Sequence, residues 1–521
     1  MKKMKRMKRK LTFIQVITIS FIVATTGLAQ NEIKISTAPI EIELADEAGI
    51  IIGEYRITLS EAIKRAIESN HDILTGKYDV AMADTAYQKF LAKYSTYFSA
   101  SGGISSTDYP PLLQNQYGKN AKTIDLSASL AKQFSTGTTL AGGIATAHAT
   151  TDRAGTSVKT YNPVLFASIE QELLKNSFGY NDRKLEEILK NTALIQRDEI
   201  IFNLSLVIVG VLVDYWNIIV KKTQLDNATL MLQETRKVRN IVSNNSSIGL
   251  AETYELNYWN SLIATSEASV AQYEQECREA FRKFLQSVNM ESNEITQQNK
   301  AILQNKLPEL NYEEALKTAY EKRADYLSAV RTLENAKLQL SIDSNEALPS
   351  LKAGLNVSSM DYNNEMNESY SNASRAKYPA YQAQVTLTYP LDDNNQKVNK
   401  RNSEWRVEQS KHQVEKYKRI IKDDVSSKIE RVNTNYKLYQ KTREARTQAG
   451  VYHDKMLTNL RRGRLTAAAV RNSLDALVNS RQQELQTLIL FNVSLLEFEI
   501  AKNELFEKYS IDVEKYIPKE D

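Results

Sequence analysis

Chemistry needs nucleophiles, acids, bases or metal ligands at working spacing, and this 521-residue sequence offers few. Its four histidines, His71, His148, His412 and His453, are scattered along the chain and leave little for a histidine-rich metal centre. The single cysteine, Cys277, excludes a disulfide framework and a thiolate metal site. No phosphate loop, nucleophile elbow or metal-ligand spacing occurs. The one suggestive pair is His71 beside Asp72. The sequence therefore points to no enzyme, no cofactor and no resident metal. The charges that cluster lie instead beside glycines: Glu252 and Glu255 after Gly249, and Arg461, Arg462 and Arg464 around Gly463. These look like the ends of elements.

Net charge is only +4, from 67 basic and 63 acidic residues, and much of the excess lies in the first ten positions. The remainder is slightly acidic, which argues against nucleic acid as a partner. Residues 1–10 form a basic leader region, residues 11–24 an apolar stretch short for a bilayer span, and Gly27, Leu28 and Ala29 a small-residue cleavage site before Gln30. This is the pattern of a secretory signal peptide; an uncleaved inner-membrane anchor is the competing reading. No cysteine follows the apolar stretch, which excludes a lipoprotein anchor.

Glycine and proline mark out the rest. No proline lies between Pro163 and Pro308, or between Pro390 and Pro518, and glycines there are sparse. Proline breaks helices and glycine weakens them, so these stretches read as helical. Residues 181–247 and 396–462 are expected as long helices, each roughly 100 Å at about 1.5 Å per residue. Each turns at a glycine, Gly249 or Gly463, into a return helix, 252–288 or 467–509. Residues 201–220 are apolar enough to suggest a membrane span. Asn203, Asp214 and Asn217 interrupt them, which favours a buried stretch of the longer helix.

The chain repeats itself. Residues 57–106 align without a gap on 310–359, matching Glu61 with Glu314, Ala62 with Ala315, Lys64 with Lys317, Ala66 with Ala319, Asp72 with Asp325 and Ser105 with Ser358. His71 falls opposite Ala324, so the histidine is not repeated and reads as structural. Each copy opens with an amphipathic helix, here Ile57, Leu59, Ala62, Ile63, Ala66 and Ile67, and runs into a strand-like tail.

Between tail and long helix lie β-like segments. Ile124, Leu126, Ala128 and Leu130 alternate with Thr123, Asp125, Ser127 and Ser129; Ala383, Val385 and Leu387 alternate with Gln382, Gln384, Thr386 and Thr388. Residues 139–150 and 162–172 are further strands, with a turn at Ser135, Thr136 and Gly137. Such alternation fits a transmembrane barrel or one face of a soluble sandwich. The signal peptide favours the barrel, with Tyr161, Phe166, Tyr378, Tyr381 and Tyr389 as an aromatic girdle. About six strands are too few to close a wide barrel, and lipid does not tolerate an open edge. Other copies of the chain must then complete it.

Signal peptide, twofold repeat, opening helix (residues 57–74), and the tips Ile248, Gly249, Leu250 and Arg462, Gly463, Arg464, Leu465 together resemble the TolC-type outer-membrane efflux protein family. The resemblance covers about residues 57–509. It implies a mainly α fold with a transmembrane β portion: a β-barrel shared by a homotrimer, continued by a long α-helical barrel, with two tandem structural repeats per chain. The expected domains are signal peptide 1–29, extended arm 30–56, repeat one 57–300, repeat two 301–509 and tail 510–521. The implied role is the exit duct of a tripartite efflux or secretion system in the outer membrane. The implied partners are outer-membrane lipid, a periplasmic adaptor and an inner-membrane pump. The tips would meet the adaptor, with Tyr254, Glu255 and Arg464 as aperture candidates. The family often carries aspartates after the second tip; here stand Ala469 and Asn472, with Asp475 further on, so that tip is basic instead. The family's best-known architecture has four strands per chain, which leaves the place of residues 123–150 open. A periplasmic coiled-coil adaptor or scaffold without a pore is the alternative, although adaptors usually carry one hairpin rather than two.

Overall fold

A computed structural model describes residues 50–52, 55–57, 59–113, 118–153, 156–247, 253–290, 303–391, 394–462, 464–509 and 511–518. The leader, most of the expected arm, both tip centres at 248–252 and 463, and the join between repeats at 291–302 lie outside them. The described chain divides into two units, and the division falls within the two longest helices.

The first unit comprises Met1–Ile73, Leu206–Asn311 and Ser426–Ile500. Residues 50–57, expected as part of an extended arm, pair as a short hairpin of β1 (Ile50–Ile52) and β2 (Tyr55–Ile57). Helix α1 (Leu59–Ser69) buries Ala62, Ile63, Ala66 and Ile67 of the stripe read from the sequence, while Leu59 is half-buried and Ile57, expected in the helix, ends β2 instead. It stops earlier than expected. At Asn70 the side-chain carbonyl accepts from the backbone N–H of Asp72 and Ile73 and restarts the helix as α2 (His71–Ala81). An asparagine offering its own acceptor competes with helix continuation. His71 and Asp72 thus sit in the first turn of a new helix.

Two helical hairpins dominate this unit: α4 (Tyr180–Ser247) with α5 (Thr253–Ser287), and α9 (Asn394–Arg461) with α10 (Ala467–Lys502). Cross-hairpin pairs record their antiparallel register, since one number falls as the other rises. Asp214 accepts from Lys283, Glu276 from Lys221, and Glu267 from Arg236. In the second hairpin Glu497 accepts from Lys428 and Arg431, Thr442 meets Thr487, and Arg446 pairs with Glu484. The apolar stretch of α4 packs inward, with Ile208, Val211, Leu212, Tyr215 and Ile218 buried and Tyr215 edge-on to Phe284. It is long and apolar enough to cross a membrane by composition, but this packing and the Asp214–Lys283 pair make it a helix-bundle segment.

The second unit comprises Leu74–Ser205, Tyr312–Val425 and Ala501–Asp521. It holds α3 (Thr85–Leu91) and one six-stranded antiparallel sheet in chain order: β3 (Thr96–Asp108), β4 (Asn120–Gln133), β5 (Thr138–Arg153), β6 (Thr156–Glu172), β7 (Ser350–Met360) and β8 (Pro379–Thr388). The four strands of repeat one and two of repeat two follow the sequence reading. Helix α6 (Tyr312–Lys322) breaks into α7 (Ala324–Glu346) at Arg323, the position aligned with Asn70. Here a different residue makes the break. The Arg323 guanidinium donates to Asp325 and to Asp424. Burial alone would lower its pKa, but the two carboxylates outweigh that and hold it up. Helix α8 (Met366–Ser374) lies between β7 and β8, and the short α11 (Leu505–Lys508) follows α10.

Candidate channel wall and helical tips

Alternation along a strand sends successive side chains to opposite faces, and the register carries each face across all six strands. Phe98 and Ile104 of β3 share one face with Ile124, Leu126, Ala128 and Leu130 of β4, because Ile104 pairs with Ile124 and Phe98 with Leu130. The same face continues through Leu140 and Ile144 of β5, Leu165 and Ile169 of β6, Leu351, Leu355 and Val357 of β7, and Tyr381, Val385 and Leu387 of β8. The opposite face carries Ser99, Ser101, Asp125, Ser127, Ser129, Ser168, Glu170, Lys352, Asn356, Gln382, Gln384 and Thr386. On it Ser101 hydrogen-bonds Ser127, and Lys352 donates to Glu170.

Helix α8 covers part of the apolar face near Thr146, His148 and Tyr161, and much of the rest is bare. Ile104 is 82% exposed, Tyr381 77% and Val385 70%. A continuous exposed apolar surface of this extent calls for a non-aqueous partner. The two edges are open as well: among the described residues β3 pairs only with β4, and β8 only with β7. Unpaired backbone on an exposed edge is a template for another strand.

One girdle assignment is corrected. Tyr161 and Tyr381 lie on the apolar face, but Phe166 sits mid-strand in β6 opposite Gly143 and Ser358, on the polar face. Phe166 is expected at a strand end, but β6 runs on to Glu172 past it, and strand parity separates it from Tyr161. Two polar side chains on the apolar face, Thr146 and His148, are covered by α8. The Tyr370 hydroxyl of α8 bonds Thr146 Oγ1 and His148 Nε2, and the Ser369 hydroxyl donates to the Tyr161 carbonyl. His148, bland in sequence, is thereby assigned a structural role.

The residues flanking the two tips come together in the first unit. Val238 and Val242 of α4, Trp259 and Leu262 of α5, Leu460 of α9, and Ala467 and Val470 of α10 form one buried cluster. Trp259 is its largest side chain and is 1% exposed; nothing in the sequence pattern singled it out. Around this plug the tip residues are polar and open. Tyr254 is exposed, Glu255 half-buried, and Arg461, Arg462 and Arg464 exposed, with Leu465 half-buried. The backbone N–H groups of Arg462 and Arg464 both donate to the Asn459 carbonyl, closing the end of α9. One turn further on, the Arg471 guanidinium stacks over the Tyr258 ring. Ile248, Gly249, Leu250 and Gly463 lie outside the described residues. Deeper in the second hairpin, burial pushes the Glu484 carboxyl up against the pull of Arg446, Arg443 and Arg481, and it pushes Arg481 down. Among the described residues no three His, Cys, Asp or Glu side chains group as a metal site.

Three similar structures show the pattern. CusC, described through conformational changes accompanying folding and transmembrane channel formation, has a TM-score of 0.63 at 15% identity, covering 91% of this chain and 98% of that one. The outer membrane protein VceC of Vibrio cholerae scores 0.61 at 12% identity, over 85% and 95%. The CmeC outer membrane channel of Campylobacter jejuni scores 0.59 at 11% identity, over 95% and 96%. No family profile and no curated protein sequence matches the chain. At these identities the likeness is one of fold. The chain has the fold of TolC-type outer-membrane channels: mainly helical, with long helical hairpins and an antiparallel sheet, as the sequence resemblance implied.

Proposed function

We propose that this chain is one subunit of an outer-membrane channel, the passive exit duct of a tripartite efflux or secretion system. Residues 1–29 act as the export leader. Three copies pair β8 of one chain with β3 of the next and close a shared barrel, with the apolar face toward lipid and the polar face toward water. The helical hairpins continue the passage into the periplasm. Their tips, Arg462, Arg464 and Leu465 with the flanking 248–250 and 463, meet a periplasmic adaptor that joins the duct to an inner-membrane pump. Tyr254, Glu255 and Arg464 line the inner aperture, where ring charges set ion preference.

The observation that carries this reading is the sheet: six strands, one face apolar and largely bare, both edges open among the described residues. In lipid every backbone polar group must be paired within protein, so a lone chain is not a stable membrane structure and a ring of chains is. The number three rests on the family resemblance. Fractionation, native mass spectrometry and planar-bilayer recording test it together. Expected are recovery with outer membranes, a mass of three chains, and discrete single-channel currents. A water-soluble periplasmic monomer without currents would instead support an adaptor or scaffold.

A further inference from the structure

The two repeats do not contribute equally to the sheet. By their alignment β3 corresponds to β7, and each repeat returns to its long helix along one further strand, β6 or β8. The β4–β5 hairpin has no counterpart in repeat two. We propose that this hairpin is an integral part of the membrane wall, so that each chain supplies six strands where the repeat unit calls for four, and a trimer closes as an 18-stranded barrel. This rests on the channel reading above and concerns the width of the passage.

Three observations carry it. The first is register: β4 and β5 are paired on both sides, to β3, each other and β6, without interruption from Asn120 to Lys132 and from Thr139 to Asp152. A flap would leave β3 next to β6. The second is a complete membrane band on β4 itself. Ile124, Leu126, Ala128 and Leu130 lie between Lys122 and Lys132 on the same face. Ten residues give about 33 Å along a strand, and about 25 Å across a bilayer at a tilt of about 40°, the height of an outer-membrane apolar band. The third is polar satisfaction. Thr146 and His148 of β5 stand level with Leu126 and Ile124, within that band, and Tyr370 bonds both. Helix α8 thus covers Thr146 and His148 and pairs polar atoms that would otherwise interrupt an apolar surface. At the helical end, the carbonyl of Ser135 in the β4–β5 turn lies so close to Gly179, just before α4, that a Cβ there would overlap it. The turn is therefore anchored where the wall meets the helix.

Because barrel diameter grows roughly linearly with strand number, eighteen strands make a mouth about 1.5 times as wide as twelve. The barrel would then admit solutes too bulky for a twelve-stranded one, and selection by size would fall to the helical end.

Labelling in liposomes tests this. In a Cys277→Ala background, single cysteines are placed at Leu126 (apolar face, β4), Ser127 (polar face, β4) and Val385 (apolar face, β8), and a membrane-impermeant maleimide is the probe. Ser127→Cys is expected to label at least tenfold faster than Leu126→Cys and Val385→Cys, although both apolar positions are exposed in the single chain. Fast labelling of Leu126→Cys with Val385→Cys still protected would overturn the six-strand wall and leave the channel intact. Fast labelling of both would overturn the channel reading and this inference with it. Cryo-electron microscopy of the unaltered chain supplies an answer free of substitution: eighteen strands around three chains supports the proposal, and twelve strands with a displaced hairpin refutes it.

Discussion

At the scale of single residues, two side chains hold more than their sequence context suggests. Trp259 fills the junction of four helix ends beside the tips. Trp259→Ala removes a large buried ring from a site whose neighbours lie on separate helices, so collapse into the cavity is limited. The expected loss is about 3–5 kcal/mol, read by denaturant unfolding, and the tips should become more sensitive to protease. Arg323 joins Asp325 to Asp424 across the α6–α7 break. Asp424→Asn leaves a half-buried guanidinium with one carboxylate fewer and should cost about 1.5–3 kcal/mol, whereas Asn70→Ala at the aligned position, which loses a helix cap, should cost about 1 kcal/mol. Equal losses at the two sites would mean that both breaks are held by the same backbone geometry and not by these side chains.

At the scale of elements, the faces of the sheet make opposite demands on neighbouring residues. Val385→Lys places a charge on the apolar face and should weaken insertion into lipid by about 2–4 kcal/mol if the site lies near the bilayer midplane. Gln384→Lys, one residue away on the polar face, should change insertion little and alter conductance instead. Folding into liposomes, followed by a heat-mobility shift on gels, separates them. Gly179 is an element-scale constraint too. It has a φ of +74° and faces the Ser135 carbonyl, so Gly179→Ala meets both backbone strain and overlap. The expected result is a trimer that dissociates at a distinctly lower temperature than the wild type, with the long helices retained by circular dichroism.

For the whole molecule, the proposed trimer would make folding and assembly one event, because the edges of the sheet are open. Proline at Ser101, mid-strand in β3, removes a backbone donor from an edge strand and should reduce trimer yield far more than it reduces helix content, as measured by native mass spectrometry. At the other end, Arg464→Glu reverses charge at an exposed tip residue. Under the aperture reading it should raise cation over anion permeability in bilayer recordings by several-fold, with no change in trimer mass.

Much of this was legible in the residues, for local reasons. The two 68-residue helices show as stretches empty of proline, the hairpins as glycines placed after them, and the strands as period-two alternation, because each depends on neighbours within a turn or a strand. The duplication is readable for the same reason: aligned positions keep their local role even where Asn70 is answered by Arg323. What sequence could not order is contact between distant segments. Whether residues 123–150 form wall or flap, that Phe166 and Tyr161 face opposite ways, that Tyr370 covers His148, and that Trp259 sits between two hairpins all depend on which strand lies beside which and in what register. Pairing joins residues hundreds of positions apart, and a shift of one residue would exchange the lipid face for the water face.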